Sequence, residues 1–191
     1  MFRFHRVPAL ALALLASTSA FATVVIAQTL EELTAAAPVI VRGRVVSAQT
    51  RWDDEHHRIN TYAEVVRAEA LKGSAPEVLL VRQPGGEVGP VGQRVAGAAS
   101  FVVGEEVVLF LESAPDEAGV FGVYTMAAGK VGFETSALGQ VRAVRHLEGL
   151  VFYERNPAAP RFRAVGADDL GTPEEFLLRV RRAVAKEGAG R

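Results

Sequence analysis

The densest run of residues able to do chemistry is Trp52-Asp53-Asp54-Glu55-His56-His57, with three carboxylates and two imidazoles in six positions. Carboxylate oxygen and imidazole nitrogen are the donors that zinc and calcium sites use. Asp53, Asp54, His56 and His57 are therefore where a metal site, and with it a metal-dependent hydrolase, would be built. Such a site needs its donors within about 2.5 Å of one point. Adjacent side chains on an extended strand face opposite sides, so His56 and His57 reach one ion only if the chain bends between them. Neither H-x-x-x-H, H-E-x-x-H nor a calcium-loop spacing is present. The simpler expectation is a solvated hairpin turn, Trp52 to Arg58, with Trp52 packed at its base.

The second conspicuous run is Pro84-Gly85-Gly86-Glu87-Val88-Gly89-Pro90-Val91-Gly92-Gln93-Arg94. It lacks the lysine followed by serine or threonine of a phosphate loop, its prolines remove amides, and no helix signal follows to receive an anion. It reads as a tight-turn loop with glycines at positive φ, placed where a rigid scaffold often carries its contacts. Trp52, Asp53, His56 and His57 from the turn, with Gly85, Gly86, Glu87, Gln93 and Arg94 from the loop, are the expected partner-binding residues. Ser47, Ser74, Ser100, Ser113 and Ser136 lie in no nucleophile motif. Glu105 and Glu106 should face opposite sides of a strand, and His146 with Glu148 is an isolated pair. No catalytic residue and no cofactor is expected.

The elements that must position these residues are short and mostly β. Thr29-Leu30-Glu31-Glu32 is a capping box that starts a helix over Leu30 to Ala36, ended by Pro38. Strands are expected at Val39 to Val46, Ile59 to Leu71, Val78 to Arg82, Val107 to Leu111, Val120 to Met126 and Gly129 to Phe133. Gly43 suggests a bulge or bend in the first. Pro84 to Ser100 is expected to be loop throughout. Gln140 to Tyr153 reads as one or two strands, or as a short helix over Arg142 to Leu150. Thr172-Pro173-Glu174-Glu175 opens an amphipathic helix over 172–187. Its basic edge, Arg179, Arg181, Arg182 and Lys186, is balanced by Glu174, Glu175 and Glu187.

Residues 1–22 have the layout of a secretory signal: Arg3 and Arg6, an apolar run from Val7 to Ala16, then the small-residue site Ala20-Phe21-Ala22. Cleavage is expected after Ala22, with Ala27 as the second choice. A retained membrane anchor over Val7 to Ala27 is the alternative. Cleavage leaves 169 of the 191 residues and, by removing two arginines and no acid, takes the formal charge from −1 to −3. The predicted order is signal 1–22, barrel-like domain 29–154, linker 155–171, terminal helix 172–187 and disordered tail 188–191. The chain has no cysteine, which excludes disulfide and thiolate chemistry. A pI of 6.4 without a basic run excludes a dedicated nucleic-acid surface.

Many short strands bracketed by one helix at each end predict a mainly β fold. The expected form is a small Greek-key barrel of OB type with about five to seven strands, and a β-sandwich is the alternative. The series Leu-Glu-Glu-Leu, Val-Arg-Gly-Arg-Val, Ile-Asn-Thr-Tyr, Leu-Lys-Gly, Gly-Gly-Glu-Val-Gly and Gly-Glu-Glu-Val-Val-Leu-Phe-Leu, over residues 29–135, resembles an uncharacterised family of exported bacterial proteins. That resemblance implies a secretion signal, a barrel-like domain and no assigned enzymatic activity. The layout is also similar to the metalloproteinase-inhibitor and netrin-like domains. Their inhibitory mechanism uses an N-terminal cysteine that this chain lacks. The functional expectation is a secreted or periplasmic, non-enzymatic binding module. Its partner would be another exported protein such as a protease or a cell-envelope component, with no nucleic acid and no membrane span after cleavage.

Overall fold

The computed structural model describes residues 22–154 and 161–189. The expected signal, apart from Ala22, and the last two residues of the expected tail lie outside them. Among the described residues no helix is long and apolar enough to cross a membrane.

The expected barrel is present and its closure can be followed strand by strand. β2 (Val39–Trp52) and β3 (Ile59–Lys72) form a long hairpin, and β4 (Val78–Pro84) adds to β3, all antiparallel. β7 (Glu106–Ser113) lies antiparallel on the other side of β2. β8 (Val120–Val123) then closes the gap, parallel to β4 and antiparallel to the end of β7. The cyclic order β2-β3-β4-β8-β7 is the five-stranded Greek-key arrangement of an OB-type barrel. Closing so few strands demands strong coiling, and β2 supplies it with irregular register at Arg42/Gly43 and Val45/Ser47. Gly43 is required there: a Cβ would stand 2.6 Å from the Val66 carbonyl oxygen.

The first half of β7 continues the sheet outward through β9 (Lys130–Thr135), β10 (Val141–His146) and β13 (Ala167–Asp169). Consequently β7 is buried on both faces, which is why Val107-Val108-Leu109-Phe110-Leu111 shows no polar alternation. Val107, Leu109 and Leu111 fill the barrel, while Val108 and Phe110 pack outward with Ile40 and Val131. That second core is covered by α1 (Leu30–Ala36) through Leu30 and Leu33, and by α2 (Pro173–Ala189) through Phe176, Leu177 and Val180. Both helices start on capping boxes, Thr29 with Glu32 and Thr172 with Glu175. Lys72 joins them, donating to the carbonyls of Thr34 and Ala35 and pairing with Glu187 at 2.7 Å. Cations are favoured at such a helix end.

Several expectations need correction. The 84–100 segment is not all loop: Gly86–Val88 (β5) and Val91–Gln93 (β6) form a small hairpin about Gly89 and Pro90. β2 runs to Trp52, because the polar residues after Val46 continue to pair with β3. β8 stops at Val123, three residues short of Met126. Thr125 and Met126, at φ 58° and 59°, turn the chain into a 3₁₀ turn, Met126–Gly129. The helical alternative over 142–150 gives way to β10 and then β11 (Leu150–Glu154). Of the expected 155–171 linker, residues 155–160 lie outside the described residues, and the remainder is not a plain linker, since β12 (Arg161–Ala164) pairs with β11 and β13 with β10. β1 (Thr23–Ile26), unexpected from the sequence, pairs in parallel with β11 and packs Val25 on the barrel core. The terminal helix continues through Ala189 rather than giving way to a tail at 188.

Candidate binding site at the mouth of the barrel

The two conspicuous sequence runs meet at one end of the barrel. The amide of Gly85 donates to the carbonyl of Ile59 at 2.7 Å, and Gln93 Oε1 accepts from the amide of Ile59 at 2.6 Å. Thr61 Oγ1 donates to the Gly85 carbonyl at 2.7 Å. Gly86 lies so close to Thr50 that a Cβ there would stand 2.4 Å from its methyl carbon, and its φ is +135°. The glycines therefore seat the β5–β6 hairpin on the stem of the β2–β3 hairpin. Two concavities flank this seam: a cleft of about 870 Å³ on the side of the 53–58 turn, and a groove of about 1010 Å³ beside residues 84–101.

The turn is held together by its own polar groups. Asp53 Oδ1 accepts from the amides of His57 at 2.7 Å and Arg58 at 3.0 Å, and those bonds, Arg58 first, hold its carboxyl below the usual range. His56, at φ 56°, stacks on Trp52 with ring centroids 6.2 Å apart. Asp54, Glu55 and His57 are exposed. Among the described residues no three His, Asp or Glu side chains are grouped to hold a metal ion. The turn bends His56 away to Trp52 and commits Asp53 to its amides, so the donors that a metal site would need are dispersed.

The cleft below the turn is closed by paired charges that sequence reading missed. Arg51 lies over the Tyr62 ring, 3.9 Å from its centroid, and Tyr62 donates its hydroxyl to Glu117 Oε2 at 2.9 Å. Arg82 bonds Glu117 at 3.3 Å and Asp116 at 2.5 Å. The Asp116 bond raises the Arg82 guanidinium further, and Arg82 in turn lowers the Asp116 carboxyl. These residues lie on three strands and the loop between β7 and β8, and no local spacing connects them. Arg58 has an exposed side chain on the cleft.

On the groove side, Glu87 and Arg94 are exposed, whereas Gln93 is committed to Ile59. Lys130 crosses the floor to Glu105 at 2.8 Å and lies 5.4 Å from the Phe101 ring centroid. Glu106 turns the other way to Arg42, as expected for adjacent strand residues. At the rim His146 Nε2 meets Glu134 Oε1 at 2.7 Å, and its Nδ1 is 3.6 Å from Glu148. Glu134 foremost raises the His146 pKa above the ordinary 6.5. Among the described residues no serine hydroxyl bonds a histidine.

Gln83 lines both concavities and is only 3% exposed. It shares the inward phase of β4 with Leu79 and Val81, so period-2 reading of Val-Leu-Leu-Val-Arg-Gln would have found it. The left-handed pair Thr125 and Met126 leads into the same walls, with Met126 on the cleft and Ala127 on the groove. Such conformations cost about 1–3 kcal/mol each and persist where the surroundings enforce them. Here the Tyr124 amide on the Phe110 carbonyl, at 2.8 Å, and the Ala127 amide on the Gly97 carbonyl, at 2.9 Å, hold the turn from both sides.

Comparison of the chain with protein-family models finds no match, and comparison with curated proteins finds none.

Proposed function

We propose that this protein is an exported, non-enzymatic binding module whose partner surface is the end of the barrel formed by the 53–58 turn and the 84–101 segment. The observation that carries the reading is the seam itself. The Gly85–Ile59 and Gln93–Ile59 bonds fuse two sequence-distant loops into one rigid rim around two concavities. OB-type barrels commonly bind through the loop between their first two strands and the loop before their last, here 53–58 and 114–119. Of the nine residues expected to meet the partner, His57, Glu87 and Arg94 remain available, and Arg58 joins them. Trp52, Asp53, His56, Gly85, Gly86 and Gln93 shape the rim instead. Another exported or cell-envelope protein fits such a rim of mixed charge, and the resemblance in sequence to a family of exported proteins agrees with that reading.

The position of β1 supports processing after Ala22 rather than after Ala27. The first choice keeps Thr23–Ile26 and its pairing with β11, and the second removes that strand. Intact mass of the exported protein tests this: a chain beginning at Thr23 is expected, and a retained signal would favour the envelope-tethered alternative. Partner capture from the exported proteins of the host tests the main reading. The wild type should retain a protein that the double variant Arg58→Glu, Glu87→Lys releases at least tenfold more readily. Turnover of a small substrate without a captured partner would overturn it.

A further inference from the structure

The wall that the groove shares with the cleft contains a buried side chain whose polar end has no partner. Gln83 is 97% buried in the wall between the concavities, and its Oε1 meets no donor. Its cross-strand neighbour Thr61 does not supply one, because that hydroxyl donates to the Gly85 carbonyl. A carboxamide oxygen removed from water in this way requires an N–H or O–H donor. Along the same groove, Ala99 and Ser100 form no hydrogen bond, main chain or side chain, with any described residue. The side chains around them, Ala96, Ala98 and Ala99 with Gly97, are small and leave the main chain open to the groove.

We propose that the groove receives an extended peptide segment of the partner, with one of its main-chain N–H groups donating to Gln83 Oε1 and its amides pairing with the free main chain of Ala99 and Ser100. This rests on the binding-module reading and gives the partner's chemistry. An anion offers Gln83 Oε1 no donor. An apolar ligand leaves Gln83 and the two free peptide units unpaired. A peptide main chain alternates donor and acceptor at the spacing that another main chain needs, the principle of strand addition.

The test uses the full processed chain, ¹⁵N-labelled, with N-acetyl-trialanine amide as probe and methyl glucoside and acetate as controls. Saturable shifts are expected in the Gln83 side-chain NH₂ and in the Ala99 and Ser100 amides with the peptide. Those amides should also exchange about tenfold more slowly with the peptide bound. The variant Gln83→Leu should lose the response and melt no lower than the wild type, since it removes an unpartnered amide at similar size. Absence of peptide shifts overturns the proposal, as does an equal response to the glucoside, which would assign the groove to hydroxyl ligands. A clearly lower melting point of Gln83→Leu would also overturn it, by showing that the amide is satisfied within the fold. If that variant fails to fold, the wild-type titrations still decide. A captured partner indifferent to Gln83→Leu overturns this proposal alone. Peptide saturation with no captured partner removes the broader reading and leaves the groove assignment.

Discussion

The cleft and the groove share Gln83 and Pro84 in their walls yet treat their polar groups in opposite ways. In the cleft, Arg51, Tyr62, Arg82, Asp116 and Glu117 satisfy one another, and Asp53 closes the turn above them. In the groove, the ion pairs stay at the floor and rim, while the peptide units of Ala99 and Ser100 have no partner, and neither has Gln83 Oε1, buried in the shared wall. A region dense in titratable residues has thus used them to hold itself, and a region of glycine and alanine has groups to spare. Density of chemistry in the sequence is a poor guide to availability in the fold, because close charges of opposite sign find each other first.

The largest expected effect comes from breaking the seam that separates the two. Gly86→Ala places a Cβ 2.4 Å from Thr50 Cγ2 and 2.7 Å from Thr61 Oγ1 at a positive φ. Strain and overpacking together should cost about 3 kcal/mol in urea denaturation. Gly89→Ala, at φ +58° with open space around it, should cost only about 1 kcal/mol. Equal losses would mean that the close approach to Thr50 does not fix the loop. Next in size is the cleft's own pairing. Arg82→Met leaves Asp116 and Glu117 facing each other without their shared cation and should lose about 1 kcal/mol, most of it recovered in high salt. A salt-independent loss would point to packing of the arginine stem instead.

A smaller change follows from opening the turn. Asp53→Ala removes the acceptor of the His57 and Arg58 amides, whose hydrogen exchange should accelerate about tenfold while the barrel core is unaffected. The Asp53 carboxyl is held below its ordinary pKa, so its contribution is present above that ordinary value and fades as pH falls through the lower folded one. Amide exchange at His57 that ignores acid pH would show that the carboxylate does not cap the turn in solution.

Much of the architecture was legible in local signals. The capping boxes at Thr29 and Thr172 mark both helix starts, and the glycine at Gly43 marks the irregularity that barrel closure needs. What local reading missed is non-local. β1 joins a strand more than a hundred residues away, and Thr23–Ile26 looks like the end of an apolar leader until Leu150–Glu154 is beside it. β12 and β13 are too short and polar to announce themselves without β10 and β11 to pair with. The site shows the same division. The two loops were visible by composition, but the Arg82–Glu117 pairing crosses 35 positions, and a glutamine on the buried phase of a strand was legible only to period-2 reading.

The smallest effect sits at the groove's rim and sharpens the contrast through pH. His146 bridges Glu134 on β9 and Glu148 in the turn after β10, and no comparable histidine pairing occurs among the described residues of the cleft. Its folded pKa lies above 6.5, so the stability it contributes is fully present below the unfolded pKa of about 6.5. That contribution is lost as pH rises through the folded value, because neutral imidazole no longer answers both carboxylates. All three side chains are about half exposed or more, so solvent keeps the change in global stability slight, and the informative measurement is local. The His146 ring should titrate by NMR with a midpoint above 6.5, and Glu134→Gln should bring that midpoint down, since the Glu134 bond is the first cause of the shift. A wild-type midpoint at or below 6.5 would mean that the rim is open in solution. The groove would then carry three uncompensated carboxylates, Glu87, Glu134 and Glu148, around its free peptide groups.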